Sequence, residues 1–291
     1  MNKFHYQDGD LADQSWLSKA TFNYTGIRIG RCTPASDLTI NPDKNERVLF
    51  VLEGSDISVQ YTVYGKTHQR ILRGRASVFD GTVDHLYLPS KSKVIISGDA
   101  KIAVGEAPTS ERKIDSFILR EDVPVLIRGA GRECRQVHNF GMPDNLDAAR
   151  LIVVEVIVPA GNWSGAPAHK HDTYIPGVES NLEEIYYFEL SVKKGSFAPH
   201  SAPFGIFHGY SSDDREFDIT AEVRSGDIVH VPYGWHGPVA PAPGYDMYFF
   251  NVMAGPDVQR EWNVTNDPQQ DWIREEWQMQ SPDPRLPYTR G

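Results

Sequence analysis

The sequence predicts an all-β fold, organised as sandwiches or barrels, from two observations. Short β-rich runs recur along the 291 residues, and Gly, Pro, Asp or Ser residues interrupt them at short intervals. Long stretches with helical periodicity are scarce. Many short strands separated by turn signals are typical of sandwiches and barrels.

The strand-like runs occur in both halves of the chain. They cover residues 47–54, 57–64, 76–79, 85–89 and 93–96 in the first half, and 151–158, 185–190, 227–231 and 246–252 in the second. Both halves contain a strand, then a hairpin, then Gly-rich strands that end at Pro, which indicates a weak internal duplication. We therefore expect two domains, residues 1–125 and residues 126–291, the second ending in a C-terminal tail.

The composition excludes several classes of protein. A hydrophobic content of 40% is that of a folded globular chain. The formal net charge of −10 argues against binding a nucleic-acid backbone through a broad basic surface. Cys32 and Cys134 are far apart and form no CxxC motif, which favours two buried thiols in a reducing compartment. Because no signal peptide or membrane-length apolar segment is apparent, we expect a soluble, cytoplasmic protein with no membrane partner.

Two histidines, His169 and His171, are separated by a single residue. On a strand they point to one side, and Lys170 points to the other. A pair of this kind is more often a surface or packing feature than a pair of metal ligands. The interpretation as a metal site therefore depends on further donors in the same strand phase.

The further donors follow later in the chain. Glu184 shares a strand face with Tyr186, whereas Glu183 shares the opposite face with Ile185 and is the weaker ligand candidate. His236 comes from a Pro-Tyr-Gly-Trp-His turn at the end of a strand. Imidazole and carboxylate groups are what a divalent transition metal binds. The predicted metal ligands are His169, His171, Glu184 and His236.

Seven segments, in order along nearly the whole chain, match the pattern of one family. They are residues 24–28, 72–81, 84–89, 161–164, 169–172, 182–188 and 244–256. In these segments the chain resembles the 5-deoxy-glucuronate isomerase family of myo-inositol catabolism, which belongs to the cupins.

The resemblance implies a two-domain cupin, or bicupin, with two β-barrels or jelly rolls and short helical segments. The first barrel, which lacks a His-x-His motif, is expected to be metal-free, with His85 in a structural role. The second is expected to hold one divalent transition metal per chain through three His and one Glu; Zn, Mn, Fe, Co and Ni all accept these donors. The implied activity is the isomerisation of 5-deoxy-D-glucuronate to 5-dehydro-2-deoxy-D-gluconate, and sister sugar-acid isomerases suggest a homo-oligomer.

This reaction needs a proton-transfer group and a cation near the metal. An aldose–ketose shift moves a proton between C2 and C1 through an enediolate, and a side chain must carry that proton. The candidate catalytic residues are Tyr186, Tyr248 and Glu155, each of which also fits a structural role as a core aromatic or a surface charge. A substrate carboxylate requires a cationic partner. The candidate substrate-binding residues are Arg150, Lys170 and His208.

Two positions depart from the pattern of the family. Ala166 stands where the family carries a Tyr, and His208 lies where the family tends to carry an Arg. Because both bear on the substrate, a divergent cupin acting on another sugar acid, as an isomerase, epimerase, lyase or dioxygenase, stays open. A non-catalytic sugar-binding cupin is the other alternative.

Overall fold

The computed structural model describes residues 4–212, 215–257 and 259–288. The described residues form mostly strands, with a few short helical turns, so the prediction of a mostly β fold is confirmed. The strands are β1 (His5–Tyr6), β2 (Trp16–Thr21), β3 (Gly26–Cys32), β4 (Leu38–Ile40), β5 (Asn45–Val63), β6 (Lys66–Leu72), β7 (His85–Leu88), β8 (Lys93–Pro108), β9 (Ser116–Ile118), β10 (Val125–Arg128), β11 (Arg135–His138), β12 (Ile152–Val158), β13 (His169–Lys170), β14 (Asp172–Ile175), β15 (Glu179–Asn181), β16 (Glu183–Val192), β17 (Gly205–Ser212), β18 (Arg215–Val223), β19 (Ile228–Val231), β20 (Trp235–Pro241), β21 (Tyr245–Ala254) and β22 (Thr265–Asn266).

The helical elements are short. They are the 3₁₀ helices Arg120–Asp122, Gly131–Glu133 and Pro268–Gln270, and the α-helix α1 (Trp272–Trp277). Of the helices formed by the described residues, none has the length and apolar content needed to cross a bilayer.

Three larger sheets organise the described strands. An eight-stranded sheet contains β2 to β9. A seven-stranded sheet has the order β1-β19-β16-β21-β12-β11-β10, and a five-stranded sheet has the order β18-β17-β20-β13-β22. The predicted domain boundary, between residues 125 and 126, lies at the start of β10, which pairs within the seven-stranded sheet. That sheet also takes in β1 from the N-terminus.

The seven-stranded sheet lies between two hydrophobic cores. On β16, Tyr186 and Phe188 pack into a core formed by residues 137–253. Ile185 and Tyr187, on the opposite face, pack into the core that contains the N-terminal strands. Since successive side chains on a strand alternate between faces, β16 is buried on both sides.

Glu183 connects the two halves of the chain on the second of these faces. Its carboxylate accepts hydrogen bonds from the backbone N–H groups of Tyr24 (3.1 Å) and Thr25 (3.0 Å) and from the Thr25 hydroxyl at 2.5 Å. Burial favours the neutral acid, but contacts with His230 and Thr25 lower the pKa of Glu183 below its usual value. Glu183 therefore anchors the loop before β3 and points away from the predicted metal site.

Candidate metal centre

The structure brings the three predicted histidines together. His169, on β13, lies directly opposite His236, on β20, in antiparallel register. His171 follows β13 and is almost completely buried. The potential ligand atoms of the three side chains all lie within 4.8 Å of one another, and among the described residues they form the one cluster of three or more His, Cys, Asp or Glu suited to a metal.

Glu184 completes this cluster with a carboxylate from β16. Its Oε2 lies 3.0 Å from Nε2 of His171 and 3.1 Å from Nε2 of His236. Burial would raise the pKa of Glu184, but its contacts with the two imidazoles lower the pKa to about 2. The carboxylate is thus ionised at neutral pH, as a metal ligand must be.

Backbone carbonyls orient two of the imidazoles. Nδ1 of His171 donates to the carbonyl oxygen of Leu182 at 3.0 Å, and Nδ1 of His236 donates to that of Gly234 at 3.2 Å. Each bond directs Nε2 towards the centre of the cluster, which is how metal-binding histidines are commonly held. Nε2 of His236 is buried and lies 3.1 Å from Oε2 of Glu184, but it makes no hydrogen bond of standard geometry with any residue that the structure describes. An unpartnered imidazole nitrogen beside a carboxylate fits a bound cation.

Asp172 holds the turn that presents His236. Gly234 has a φ of +91°, a region that favours glycine, and its N–H donates to Oδ2 of Asp172 at 2.9 Å. Lys170 Nζ lies 3.0 Å from Oδ1 of Asp172 and 2.7 Å from Oε1 of Glu179. Lys170 therefore points away from the three histidines, as its position between His169 and His171 predicts, and contributes to the support of the turn.

A cavity leads to the histidine cluster. It contains about 620 Å³ of empty space, part of which is open to solvent. Its polar lining includes His169, Glu184, Tyr186, Asn251 and Arg135. Apolar side chains of β12, β20 and β21 line the remainder, so the cavity can hold a small molecule with a few polar anchors.

A second cavity, of about 710 Å³, shares part of its lining with the first. We refer to the first as the inner cavity and to the second as the outer cavity. His169, Arg128, Arg135 and Trp262 line both cavities. The outer cavity adds Gly129 and further side chains from the C-terminal segment and from the loop before β13, which are Ala166, Pro167, Val264, Asn266, Arg274 and Trp277. Ala166, one of the two departures from the family pattern, thus lines the outer cavity.

Tyr186 is the one of the three predicted catalytic residues that lines the inner cavity. It lies opposite Asn251 in the register between β16 and β21. Burial, followed by the charge of Glu184, raises the pKa of Tyr186 well above its ordinary value. Its hydroxyl therefore stays protonated and can donate a hydrogen bond to a molecule in the cavity.

Tyr248 and Glu155 lie on the other face of the seven-stranded sheet. The Tyr248 hydroxyl donates to Oε1 of Glu155 at 2.5 Å, and the same carboxylate forms a buried ion pair with Arg75. Nδ1 of His138 lies 3.2 Å from Oε2 of Glu155. These four side chains join the two halves of the chain and do not line the cavity. The strand alternation that brings Tyr186 to the cavity takes Tyr248 and Glu155 away from it.

The predicted substrate-binding residues also lie outside the two cavities. Arg150 precedes β12 and donates to the carbonyl oxygens of Pro256 (3.3 Å) and Asp257. Lys170 is engaged by acidic side chains on the outside of β13, as described above. His208 lies on β17, where its Nδ1 is 3.1 Å from the Thr220 hydroxyl. Arg150 and Lys170 are close to the His-x-His motif in sequence, but neither lines the cavity.

The cavity contains functional candidates that the sequence reasoning did not identify. Arg128 and Arg135 occupy directly opposite positions in the hairpin formed by β10 and β11. Burial lowers the pKa of Arg135 to about 10, and the nearby charge of Arg128 acts in the same direction. The signal in the sequence was an Arg on each side of the Gly-rich turn between residues 129 and 134.

Comparison with known proteins places this site in context. The model of the KduI/IolB family matches residues 5–273. The chain is 41% identical over 258 residues to 5-deoxy-glucuronate isomerase of Geobacillus kaustophilus, and the aligned region covers 87% of each chain. It is 34% identical over 269 residues to the enzyme of the same name from Bacillus subtilis, over 91% of this chain and 93% of that one.

Solved structures show related folds. The crystal structure of an IolB-like protein from Salmonella typhimurium superposes with a TM-score of 0.80 at 31% identity, over 94% of this chain and 99% of the other. A mutant of oxalate decarboxylase from Bacillus subtilis superposes with a TM-score of 0.56 over 91% of this chain and 80% of the other. At 10% identity, the second likeness concerns the fold alone.

Proposed function

The chain belongs to the KduI/IolB family, and we propose that it is a metal-dependent aldose–ketose isomerase that converts 5-deoxy-D-glucuronate to 5-dehydro-2-deoxy-D-gluconate. The observation that carries this proposal is the convergence of three imidazoles and one ionised carboxylate beside a cavity that His169 and Glu184 help to line. The names of the curated relatives, which align over most of the chain, support the choice of substrate.

We assign His169, His171, Glu184 and His236 as the ligands of one divalent transition metal per chain. Three neutral imidazoles and one carboxylate leave the bound ion with net positive charge. Such an ion would polarise the oxygens at C1 and C2 of an aldose and stabilise the negative charge of the enediolate.

The chain's own side chains supply the remaining requirements. Tyr186 presents a protonated hydroxyl beside Glu184, from which it can donate a hydrogen bond to an oxygen of the substrate. Asn251, which lies opposite Tyr186 in the pairing of β16 with β21, lines the same cavity, where its side-chain amide can donate to a second oxygen. Apolar side chains of β12 and β21 line much of the rest and limit the contact of a bound substrate with water.

The proposal is tested by direct conversion. Metal-loaded protein is incubated with 5-deoxy-glucuronate in heavy water under nitrogen, and C1 and C2 are followed by NMR. We expect interconversion of the aldose and the ketose, with deuterium entering at the transferred position to an extent set by exchange with solvent. Chelator-treated protein and His171→Ala should show no conversion.

The alternatives give different outcomes in the same experiment. Conversion of a different uronate, with 5-deoxy-glucuronate unchanged, would identify another sugar-acid isomerase or epimerase. Turnover in a parallel reaction under air, with none under nitrogen, would identify a dioxygenase. Binding of sugar acids without turnover, in folded and metal-loaded protein, would contradict the isomerase and identify a sugar-binding cupin.

A further inference from the structure

We propose that Arg128 and Arg135, with Arg274 in the outer cavity, form a subsite for the carboxylate of the sugar acid and so fix the direction in which the substrate enters. This inference rests on the proposed function, because it names the groups that recognise one end of the proposed substrate.

The first support is position. Arg128 and Arg135 line the inner cavity together with His169, and the same three residues line the outer cavity. Arg274, on α1, lines the outer cavity only. A molecule that extends from His169 through the lining shared by the two cavities therefore lies beside both inner guanidinium groups.

The second support is the absence of acidic partners. Among the residues that the structure describes, Arg128 pairs with no carboxylate, and its guanidinium lies 5.6 Å from the centre of the Trp262 ring. Arg135 donates to the carbonyl oxygen of Glu133 at 3.2 Å, and Arg274 donates to the side-chain oxygen of Asn266 at 3.2 Å. By contrast, the buried Arg75 and Arg47 both form ion pairs with glutamates. Three guanidinium groups around one cavity thus retain bonding capacity for an anion.

The third support is the arrangement of the hairpin. Arg128 and Arg135 face each other across β10 and β11. Like charges directly opposite each other on paired strands are destabilising. A bound anion between the two arginines removes that repulsion, and guanidinium groups bind carboxylates in a planar, bidentate manner.

The fourth support is the excess of hydrogen-bond donors. The indole Nε1 atoms of Trp262 and Trp277 are buried and find no hydrogen-bond partner among the described residues. Both rings line the outer cavity, and that of Trp262 also lines the inner one. Together with the arginines they form a surface that donates hydrogen bonds and offers few acceptors, which suits the oxygens of an anionic sugar.

The arrangement orients an open-chain sugar acid. In a uronate the aldehyde and the carboxylate lie at opposite ends of the carbon chain. With the carboxylate between Arg128 and Arg135, the aldehyde end of the substrate is directed towards His169 and Glu184. This end contains C1 and C2, between which the proton is transferred. The subsite thereby distinguishes a sugar acid from a neutral aldose of the same length.

The test compares two ligands and matched variants. The ligands are 5-deoxy-glucuronate and its neutral counterpart, in which the carboxylate is reduced to a hydroxymethyl group. The variants are Arg128→Gln, Arg135→Gln and Arg135→Lys, with Arg132→Gln as control. Arg132 is an exposed residue of the same hairpin turn and lines neither cavity. Circular dichroism and metal content establish that each variant is folded and loaded.

We expect Arg128→Gln and Arg135→Gln each to lower kcat/KM for the acid roughly 10- to 100-fold, mainly through KM, as the loss of a charge-assisted hydrogen bond implies. The neutral ligand should be affected much less, Arg135→Lys should lie in between, and Arg132→Gln should behave as wild type. Equal losses for the acid and the neutral ligand, or no loss for either, would overturn the subsite.

Calorimetric binding of both ligands separates this inference from the proposed function. If the wild type fails to convert the acid but binds it more tightly than the neutral ligand, and both Gln variants abolish that preference, the isomerase fails and the anion subsite stands. If the wild type converts the acid and the variants retain its preference for the acid, the subsite fails and the isomerase stands.

Discussion

The backbone N–H of Gly234 donates to the carboxylate of Asp172 at 2.9 Å, and this bond ties the turn that precedes His236 to the first residue of β14, which directly follows His171. Two of the proposed metal ligands thus depend on one carboxylate that is not itself a ligand. Burial raises the pKa of Asp172, but the Gly234 N–H and Lys170 lower it to about 2, so the acceptor stays ionised.

Asp172→Ala removes the acceptor and should lower metal affinity about 10- to 100-fold, the usual effect of losing a group that orients a ligand. Asp172→Asn keeps an oxygen that can accept the Gly234 N–H and should lose less metal affinity than Asp172→Ala. Competition with a graded metal chelator measures both affinities. An unchanged affinity in Asp172→Ala would show that the turn holds its shape without this bond.

Two adjacent glutamates on β16 should respond to the same substitution in different ways. Glu184→Gln removes the charged ligand and should reduce metal content and activity together. Glu183→Gln should retain the metal but lower the free energy of unfolding by about 1–3 kcal/mol, because a buried acceptor of several hydrogen bonds is replaced by a poorer one. Elemental analysis and urea unfolding distinguish the two effects, and loss of metal in Glu183→Gln alone would reverse the assignment.

Two tyrosines provide a comparable pair. Tyr186→Phe removes the hydroxyl that lines the cavity and should lower kcat about 100-fold at unchanged metal content, as expected for a group that assists proton transfer. Tyr248→Phe removes a hydrogen bond to Glu155 on the other face and should cost stability with little change in kcat. Steady-state kinetics with metal analysis checks both. A larger loss of kcat in Tyr248→Phe would place the proton-transfer group elsewhere.

His85 should make the stability of the protein sensitive to acid. Its ring stacks on Phe140 at 3.4 Å between centroids, and both ring nitrogens are buried without a hydrogen-bond partner in the part of the chain that the structure describes. Burial lowers the pKa of His85 to about 3, with Arg75 and His138 opposing protonation and Glu155 and Asp84 favouring it.

Because the pKa of His85 is lower in the folded chain than in the unfolded chain, where it is about 6.5, the unfolded chain takes up the proton first. The contribution of the neutral His85 side chain to the free energy of unfolding is fully present above pH 6.5 and is lost as the pH falls towards 3. Between pH 7 and pH 5 this amounts to about 2 kcal/mol. His85→Phe keeps the stacking on Phe140. In urea unfolding, the free energy of unfolding of this variant should therefore fall by correspondingly less between pH 7 and pH 5. An identical loss in the variant would exclude His85 as the cause.

Strand periodicity predicted the clustering of the four proposed metal ligands better than it predicted the side chains around them. The two-residue repeat separates Glu184 from Glu183 and His169 from Lys170, and the structure shows the same separation. The same repeat could not reveal that the sheet is buried on both faces, so Tyr248 and Glu155 were expected near the metal although they face the other core. Arg128 and Arg135 come from a hairpin more than 30 residues before His169, and only the pairing of β10 with β11 brings them to the cavity.

Because β16 is buried on both faces, a shift in its register would move nearly all of its side chains into the wrong environment. Its even-numbered side chains, Glu184 and Tyr186, reach the cavity, while its odd-numbered neighbours, Ile185 and Tyr187, hold the N-terminal core. Deletion of one residue within the strand would exchange the two sets, so that aliphatic groups replaced the ligand and polar groups entered the core. We therefore expect small insertions and deletions to be tolerated in exposed turns, such as the one after β5, and not within β16, where a single change of length would disturb both the proposed metal ligands and the contact between the two halves of the chain.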